Sequence, residues 1–267
     1  MMYVLSNFAQ KQGYGVESYE SVDSTNLVAQ QKAQAGHPGY LWIVAEEQIQ
    51  GRARRGRSWS SPKGNLYTSL LLIDNITHQT AAHLGFVAGV SMVEAVKEFI
   101  KDQHKFKDII SLKWPNDILL EGAKSSGILL ELFELSPQKY ALVIGIGMNV
   151  ESHYKDAPYP TSSMKKIGLH IDKKQLFKAL TKFFAKNYLL WKQPKGYDVI
   201  RKKWLLYSAH FGQHIKVTDG SKIIEGIFDG LDCNFNCIVK QENGQEAIIT
   251  AGDVHFGSAG SVHTDHG

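Results

Sequence analysis

Four arginines fall within the stretch GRARRGRSW, residues 51–59: Arg52, Arg54, Arg55 and Arg57. Guanidinium groups this close repel one another, so the cluster is expected to work against something anionic. The candidates are a nucleic-acid backbone, a protein surface, or a small ligand bearing carboxylate or phosphate. The run GRARRGRS misses the phosphate-loop pattern G-x-x-x-x-G-K-[ST] by one lysine. That pattern also needs a helix directly after it, and Pro62, Gly64 and an apolar strand follow instead. A solvated basic loop is the plain alternative. The bounding glycines and Trp59, an aromatic rarely left on an idle loop, favour a mobile loop that closes over an anion.

Three further stretches carry polar groups where chemistry could happen. In KWPNDILLEGAKSSGILLEL, Pro115 predicts an extended Trp114, and Asn116-Asp117 then sits at a turn before the next strand. Lys124 opens the strand after Gly122. An ordinary β-turn with a surface lysine accounts for this equally well. GIGMNV, residues 145–150, ends a buried-looking strand but lacks the third glycine of a dinucleotide fingerprint. Close backbone packing explains it, and so does a flat ligand whose edge Asn149 reads. In VDSTN, Ser24 or Thr25 is a helix N-cap, and the free N–H groups of that helix start could also meet a ligand.

The elements that must hold these residues are legible from periodicity. A helix follows Thr25 and stops at Gly36, and YLWIVAEEQ and LYTSLLLI are strands on either side of the arginine loop. Residues 80–101 have helical spacing with small side chains on one face, suited to close packing on a sheet. Three short β-rich runs, the strand YALVIGIGMNV and two amphipathic helices follow. After about His210 short strands take over, and Asp219-Gly220 and Asn243-Gly244 predict two-residue hairpins. The chain therefore divides into a main domain, 1–209, a small β-barrel, 210–258, and a tail, 259–267, expected to be mobile.

Bulk composition narrows the classes. Lys and Arg number 30 against 26 Asp and Glu, a net charge of only +4, which disfavours a dedicated nucleic-acid binder. Cys233 and Cys237 form neither a disulfide framework nor a zinc pattern, which fits a reducing cytosol. The sequence shows no signal peptide and no membrane-spanning apolar run, so a cytoplasmic location is expected.

Taken in order, DSTN (23–26), Gln48, GRARRGRSW (51–59), KWPND (113–117), KSSGILLE (124–131) and GIGMN (145–149) resemble the biotin protein ligases. The likeness is dense over about residues 20–150 and looser in the C-terminal region. It implies an α+β fold: a mixed β-sheet with packed helices, the class II synthetase-like biotin ligase core, plus a small SH3-like barrel. The pattern departs from the family at Ala53, where a second glycine is usual, which should stiffen the loop and disfavour positive φ. SPKGNLY is one residue shorter than the common form. The usual glycine of a D-x-x-G-x-L segment is missing from LDCNFNCIV, where Asn234 is expected to make the turn. No helix-turn-helix precedes DSTN, so a repressor role and DNA binding are not expected.

The resemblance also implies an activity. Biotin and ATP give biotinyl-AMP and pyrophosphate, and a lysine of a biotin carboxyl carrier protein then takes the biotinyl group. A carboxylate and a triphosphate repel by about 1 kcal/mol per charge pair at 4 Å in water, and more in a drier site. Positioned cations must bring them together. Arg52, Arg54 and Lys124 are the implied catalytic groups. Ser24, Thr25, Asn26, Gln48, Gly51, Arg52, Ala53, Arg54, Lys124, Gly127 and Gly145 would bind biotin. Arg54, Arg55, Arg57, Trp59, Asn116, Asp117 and Asn149 would face ATP, with Mg²⁺ assisting and Asp117 its candidate ligand. Lipoate or octanoate ligation on the same fold, nucleic-acid binding through the arginine loop, and a binding module without turnover remain alternatives. Monomer and homodimer are both compatible with the sequence.

Overall fold

The computed structural model describes residues 2–102, 109–219 and 222–255. A short helix α1 (Asn7–Lys11) leads into β1 (Gly15–Val22), α2 (Thr25–Gln34), β2 (Leu41–Gln48) and β3 (Leu66–Leu72). The long helix α3 (His78–Lys97) crosses the sheet to β4 (Ile110–Lys113), β5 (Asp117–Leu120), β6 (Ala123–Ser136) and β7 (Lys139–Met148). Helices α4 (Lys173–Trp191) and α5 (Gly196–Tyr207) complete this part. The seven strands order as β1-β2-β3-β7-β6-β5-β4, with β1 and β2 parallel and all other pairs antiparallel.

The two faces of this sheet have different fates, and strand alternation decides which residue meets which. In β7, Leu142, Ile144, Ile146 and Met148 join the main core beneath α3, α4 and α5. Ala141 and Val143, on the opposite face, join a smaller cluster with Ala29 and Ala33 of α2. Continuing along that second face come Gly145, directly under Asn26 in the first turn of α2, and Gly147, under Trp59. On the core side, Trp42 sits edge-on between Phe177 and Phe184 of α4, with centroids 5.7 and 5.6 Å away. The small residues of α3 do what their spacing predicts: a Cβ at Gly85 or Gly89 would stand 3.1 Å from Leu130 or 3.2 Å from Leu112.

The C-terminal strands are β8 (His214–Asp219), β9 (Lys222–Leu231), β10 (Cys237–Lys240), β11 (Glu246–Ile249) and β12 (Asp253–His255). They form a small antiparallel sheet domain in the order β11-β10-β9-β8-β12. The connection from β10 to β11 is longer than the expected two residues, since Lys240 pairs with Glu246 and only Gly244 of the Asn243-Gly244 pair has positive φ. Asp219 ends β8 and pairs with Lys222, while Gly220 of the expected Asp219-Gly220 turn and the tail 259–267 lie outside the described residues. The turn after β9 also differs from expectation. Asp232 accepts the backbone N–H groups of Asn234 and Asn236, and the left-handed residue is Phe235, at φ 62°, rather than Asn234.

That turn joins the two parts of the molecule. The Phe235 carbonyl accepts the Trp114 Nε1–H at 3.1 Å, and its ring packs on Phe86 and His83, with centroids 4.6 and 4.8 Å away. The Trp114–Pro115 bond that precedes the Asn116-Asp117 turn is cis.

Candidate active site

The glycine strip is the floor of the site. Register places Gly145 between Ser69 and Leu129, and Gly147 between Tyr67 and Gly127, across β3, β7 and β6. A Cβ at Gly145 would lie 2.3 Å from Asn26 Oδ1, and one at Gly147 would lie 2.6 Å from Trp59 Nε1. Backbone packing and room for a flat group are thus the same feature here: polar and aromatic side chains lie directly on bare strand.

A pocket opens above this floor, lined by Thr25, Asn26, Gln48, Arg52, Arg54 and Lys124 among others. Ser24 occupies the N-cap position of α2, yet its side chain makes no cap hydrogen bond. Gln48 takes that duty instead, its Oε1 accepting the Thr25 N–H at 2.9 Å. The Gln48 amide then donates to Ser61 Oγ at 2.9 Å, and Ser61 donates to the Trp59 carbonyl at 2.9 Å.

The arginine loop is folded over this pocket as a small hairpin. Arg52 and Ser58 form an antiparallel bridge, and the Trp59 N–H reaches the Gly51 carbonyl at 2.8 Å. Gly51 must lack a side chain, since a Cβ would stand 2.2 Å from the Trp59 carbonyl. Ala53 sits at φ −127°, an extended conformation open to any residue, so its methyl imposes no strain; the positive φ falls on Arg55 and Gly56. The protein itself meets part of the charge that the sequence assigned to an external anion. Arg52 Nη1 lies 3.3 Å from Glu131, and Arg54 Nη1 donates to Asn116 Oδ1 at 2.8 Å.

Lys124 stands at a junction. Its ammonium pairs with Asp117 at 2.8 Å and lies over the rings of Trp59 and Tyr159, 5.8 and 5.4 Å from their centroids. On its far side opens a second pocket, lined by Trp59, Asn65, Lys124, Asn149, His153, Tyr159 and others. Trp59 and Lys124 therefore wall both compartments. Burial, with Lys166 and Lys155 close by, holds His153 below the ordinary histidine value, which keeps it neutral near pH 7.

Of the residues chosen from sequence, Ser24, Thr25, Asn26, Gln48, Arg52, Ala53, Arg54, Lys124, Gly127 and Gly145 line the first pocket, and Gly51 closes the loop behind it. Trp59 and Asn149 border the second, where the Asn149 amide is tied to the Ser162 carbonyl at 3.0 Å. Arg55 and Arg57 are exposed, and with Asn116 and Asp117 they line neither. Asn116 spends its amide on Arg54 and on the Ile128 carbonyl. Sequence reasoning missed the second pocket's segment 152–161, whose signal was its dense run of His, Tyr, Lys and Pro. It also missed Asn65, whose Oδ1 receives the backbone N–H groups of Val150, Glu151 and Ser152 at 2.9, 2.9 and 3.1 Å. Among the described residues no three His, Cys, Asp or Glu side chains gather as metal ligands. No helix among them is long and apolar enough to cross a membrane.

Comparison with known proteins shows the family. Residues 18–149 match the biotin/lipoate A/B protein ligase family, and residues 210–257 match the biotin protein ligase C-terminal domain. A biotin–[acetyl-CoA-carboxylase] ligase of Paracoccus denitrificans is 33% identical over 88% of this chain and 98% of its own length. The bifunctional ligase/repressor BirA of Bacillus subtilis is 28% identical over 90% of this chain and 73% of its own. The structure of a biotin protein ligase from Aquifex aeolicus in complex with biotin and ATP superposes with a TM-score of 0.74. It is 27% identical and covers 90% of this chain and 97% of its own. With two compartments meeting at one lysine on a glycine-floored sheet, and relatives alike along nearly the whole chain, the protein is a ligase that belongs to the biotin/lipoate A/B protein ligase family, among its biotin protein ligases.

Proposed function

We propose that the first pocket takes biotin, the second takes the nucleotide of ATP, and Lys124 works where they meet. The placement of Lys124 and Trp59 in the wall shared by both compartments carries this reading. The biotin carboxylate attacks the α-phosphorus, an acyl–phosphate bond forms, and pyrophosphate leaves with the bonding electrons. A neutral lysine amine of a biotin carboxyl carrier protein then attacks the acyl carbon, loses a proton, and expels AMP.

The chain's own groups have distinct tasks in that sequence. Thr25, Asn26, Gln48 and Ser24 supply the donors and acceptors that a buried ureido ring needs. Arg52 and Arg54, on a loop that closes, hold carboxylate and phosphate oxygens, and Lys124 is a fixed point charge beside the developing negative charge. Asp117 holds the Lys124 ammonium in place, and Asn116 holds Arg54. Trp59 covers the mixed anhydride and keeps water from it. Mg²⁺ is expected with ATP; Asp117 pairs with Lys124, and among the described residues no cluster of further ligands stands beside it. Among the described residues the side chains here do not by themselves build a metal site.

Replacing Lys124 by Ala is expected to lower biotin-dependent pyrophosphate exchange by about 10²–10³-fold, the usual cost of removing one charge-stabilising donor. The variant leaves Asp117 unpaired, so Lys124→Ala/Asp117→Asn separates chemistry from folding: it should recover stability and stay inactive. Near-normal exchange by the double variant would remove Lys124 from catalysis. Biotin, lipoate and octanoate compared in the same assay test the substrate, with pyrophosphate release expected for biotin. Mass spectrometry of a carrier domain incubated with the protein, biotin and ATP tests the second step.

A further inference from the structure

Two polar residues stand behind the first pocket. Glu131 and Ser69 line neither compartment, yet they are joined to the groups that do. Asn26 Nδ2 donates to Glu131 Oε2 at 2.7 Å, and Arg52 reaches the other carboxylate oxygen at 3.3 Å. Ser69, wholly buried, has its Oγ 2.5 Å from Asn26 Oδ1 and 2.7 Å from Thr25 Oγ1. Thr25 Oγ1 is in turn 3.0 Å from Gln48 Oε1.

Counting protons gives this chain a direction. The two hydroxyls of Thr25 and Ser69 own two protons, and three oxygen–oxygen contacts compete for them. A carboxylate only accepts, so Glu131 forces the Asn26 amide to face it with NH₂ and to turn its carbonyl oxygen to Ser69. A 2.5 Å contact between two oxygens needs a proton, so Ser69 donates to Asn26. Two contacts are then open to the Thr25 proton, and the 2.7 Å one to Ser69, shorter than the 3.0 Å one to Gln48, is the one that takes it. Gln48 Oε1 already receives the Thr25 backbone N–H, and the 3.0 Å contact, the longest, goes without one. The Thr25 hydroxyl is left with lone pairs toward the pocket, an acceptor for a ligand N–H.

We infer that Glu131 and Ser69 are positioning residues that polarise the recognition groups, Thr25 to Ser69 to Asn26 to Glu131, and that Glu131 also clasps the arginine loop through Arg52. The inference rests on the biotin reading of the first pocket, because a ureido ring presents two N–H groups.

The experiment compares Glu131→Gln, Ser69→Ala and the double variant with the wild type in biotin- and ATP-dependent adenylate formation, and times tryptic cleavage of the arginine loop in ligand-free protein. Gln keeps the shape of Glu131 but can donate, so the chain can reverse. Each single variant should raise the KM for biotin about tenfold, with the KM for ATP within twofold and kcat within threefold. The double variant should be no worse than the poorer single, since both break one chain. Glu131→Gln should also speed loop cleavage several-fold, and Ser69→Ala should not. An unchanged KM for biotin in both variants, additive effects, or a parallel rise in the KM for ATP would overturn the polarised chain. Unaltered cleavage in Glu131→Gln would overturn the clasp. A wild type that makes no adenylate from biotin would overturn the functional reading instead, and the cleavage comparison would still decide the clasp.

Discussion

Gly145 does at one position what a whole loop does elsewhere. A methyl there meets Asn26 Oδ1 at 2.3 Å, and Asn26 cannot swing away without giving up Ser69 or Glu131. Gly145→Ala is therefore expected to raise the KM for biotin at least tenfold while thermal stability falls by only a few degrees. At Gly147 the obstacle is the Trp59 ring, 2.6 Å from the added carbon, and that ring sits on a loop. Gly147→Ala should lift Trp59 and accelerate hydrolysis of the bound adenylate more than it weakens biotin. Equal effects on both steps in the two variants, measured by single-turnover kinetics, would contradict this division. At this scale the arginines, DSTN, Gln48 and Lys124 could be chosen from sequence because each belongs to a motif. Glu131 closes the KSSGILLE motif, but neither it nor Ser69, a serine in an apolar strand, carries a local sign that the two meet around Asn26 across three strands.

At the level of elements, hydrophobic period alone located the strands and helices that frame the site. The face each strand shows to α2 or to α3 needed the pairing register, which no single segment contains. The Arg52 neutralisation was misjudged for the same reason: its countercharge, Glu131, lies far along the chain. A second cluster holds helix α4 to the sheet. Asp74, just beyond β3, accepts hydrogen bonds from the Tyr40 and Tyr188 hydroxyls at 2.6 and 2.7 Å and from Lys192 at 2.8 Å. Burial alone would raise its carboxyl, but Lys192, the two phenols and the Asn75 N–H together hold it well below the ordinary aspartate value of 3.8. A depressed carboxyl contributes stability above that ordinary value and loses it as pH falls through and below it. Asp74→Asn is expected to cost about 2–3 kcal/mol at neutral pH, as for hydrogen bonds to a charged group. The difference from wild type should narrow below about pH 4, where the unfolded-state carboxyl begins to protonate while the native one stays ionised. Urea denaturation at pH 7 and pH 3.5 checks both.

Across the whole molecule, the C-terminal sheet is attached at the element that carries Asn116 and Asp117. Besides the Trp114–Phe235 bond, the Ala209 N–H donates to the Leu112 carbonyl at 2.9 Å, and Leu112 and Ser208 form a parallel bridge on β4. Phe235→Ala removes a buried ring between Phe86 and His83 and should cost about 3–5 kcal/mol in chemical denaturation. The same variant should reduce adenylate formation while leaving the fold of the remaining protein intact below its transition. A loss of stability with undiminished activity would show that this sheet acts only as ballast.

The shared wall of Trp59 and Lys124 has a thermodynamic corollary. Whatever fills one chamber reshapes the partition it has in common with the other, so the two guests must alter each other's affinity by one and the same factor. Titrating biotin with and without a non-hydrolysable nucleotide, and then the nucleotide with and without biotin, should close that loop to within experimental error, with a factor different from one.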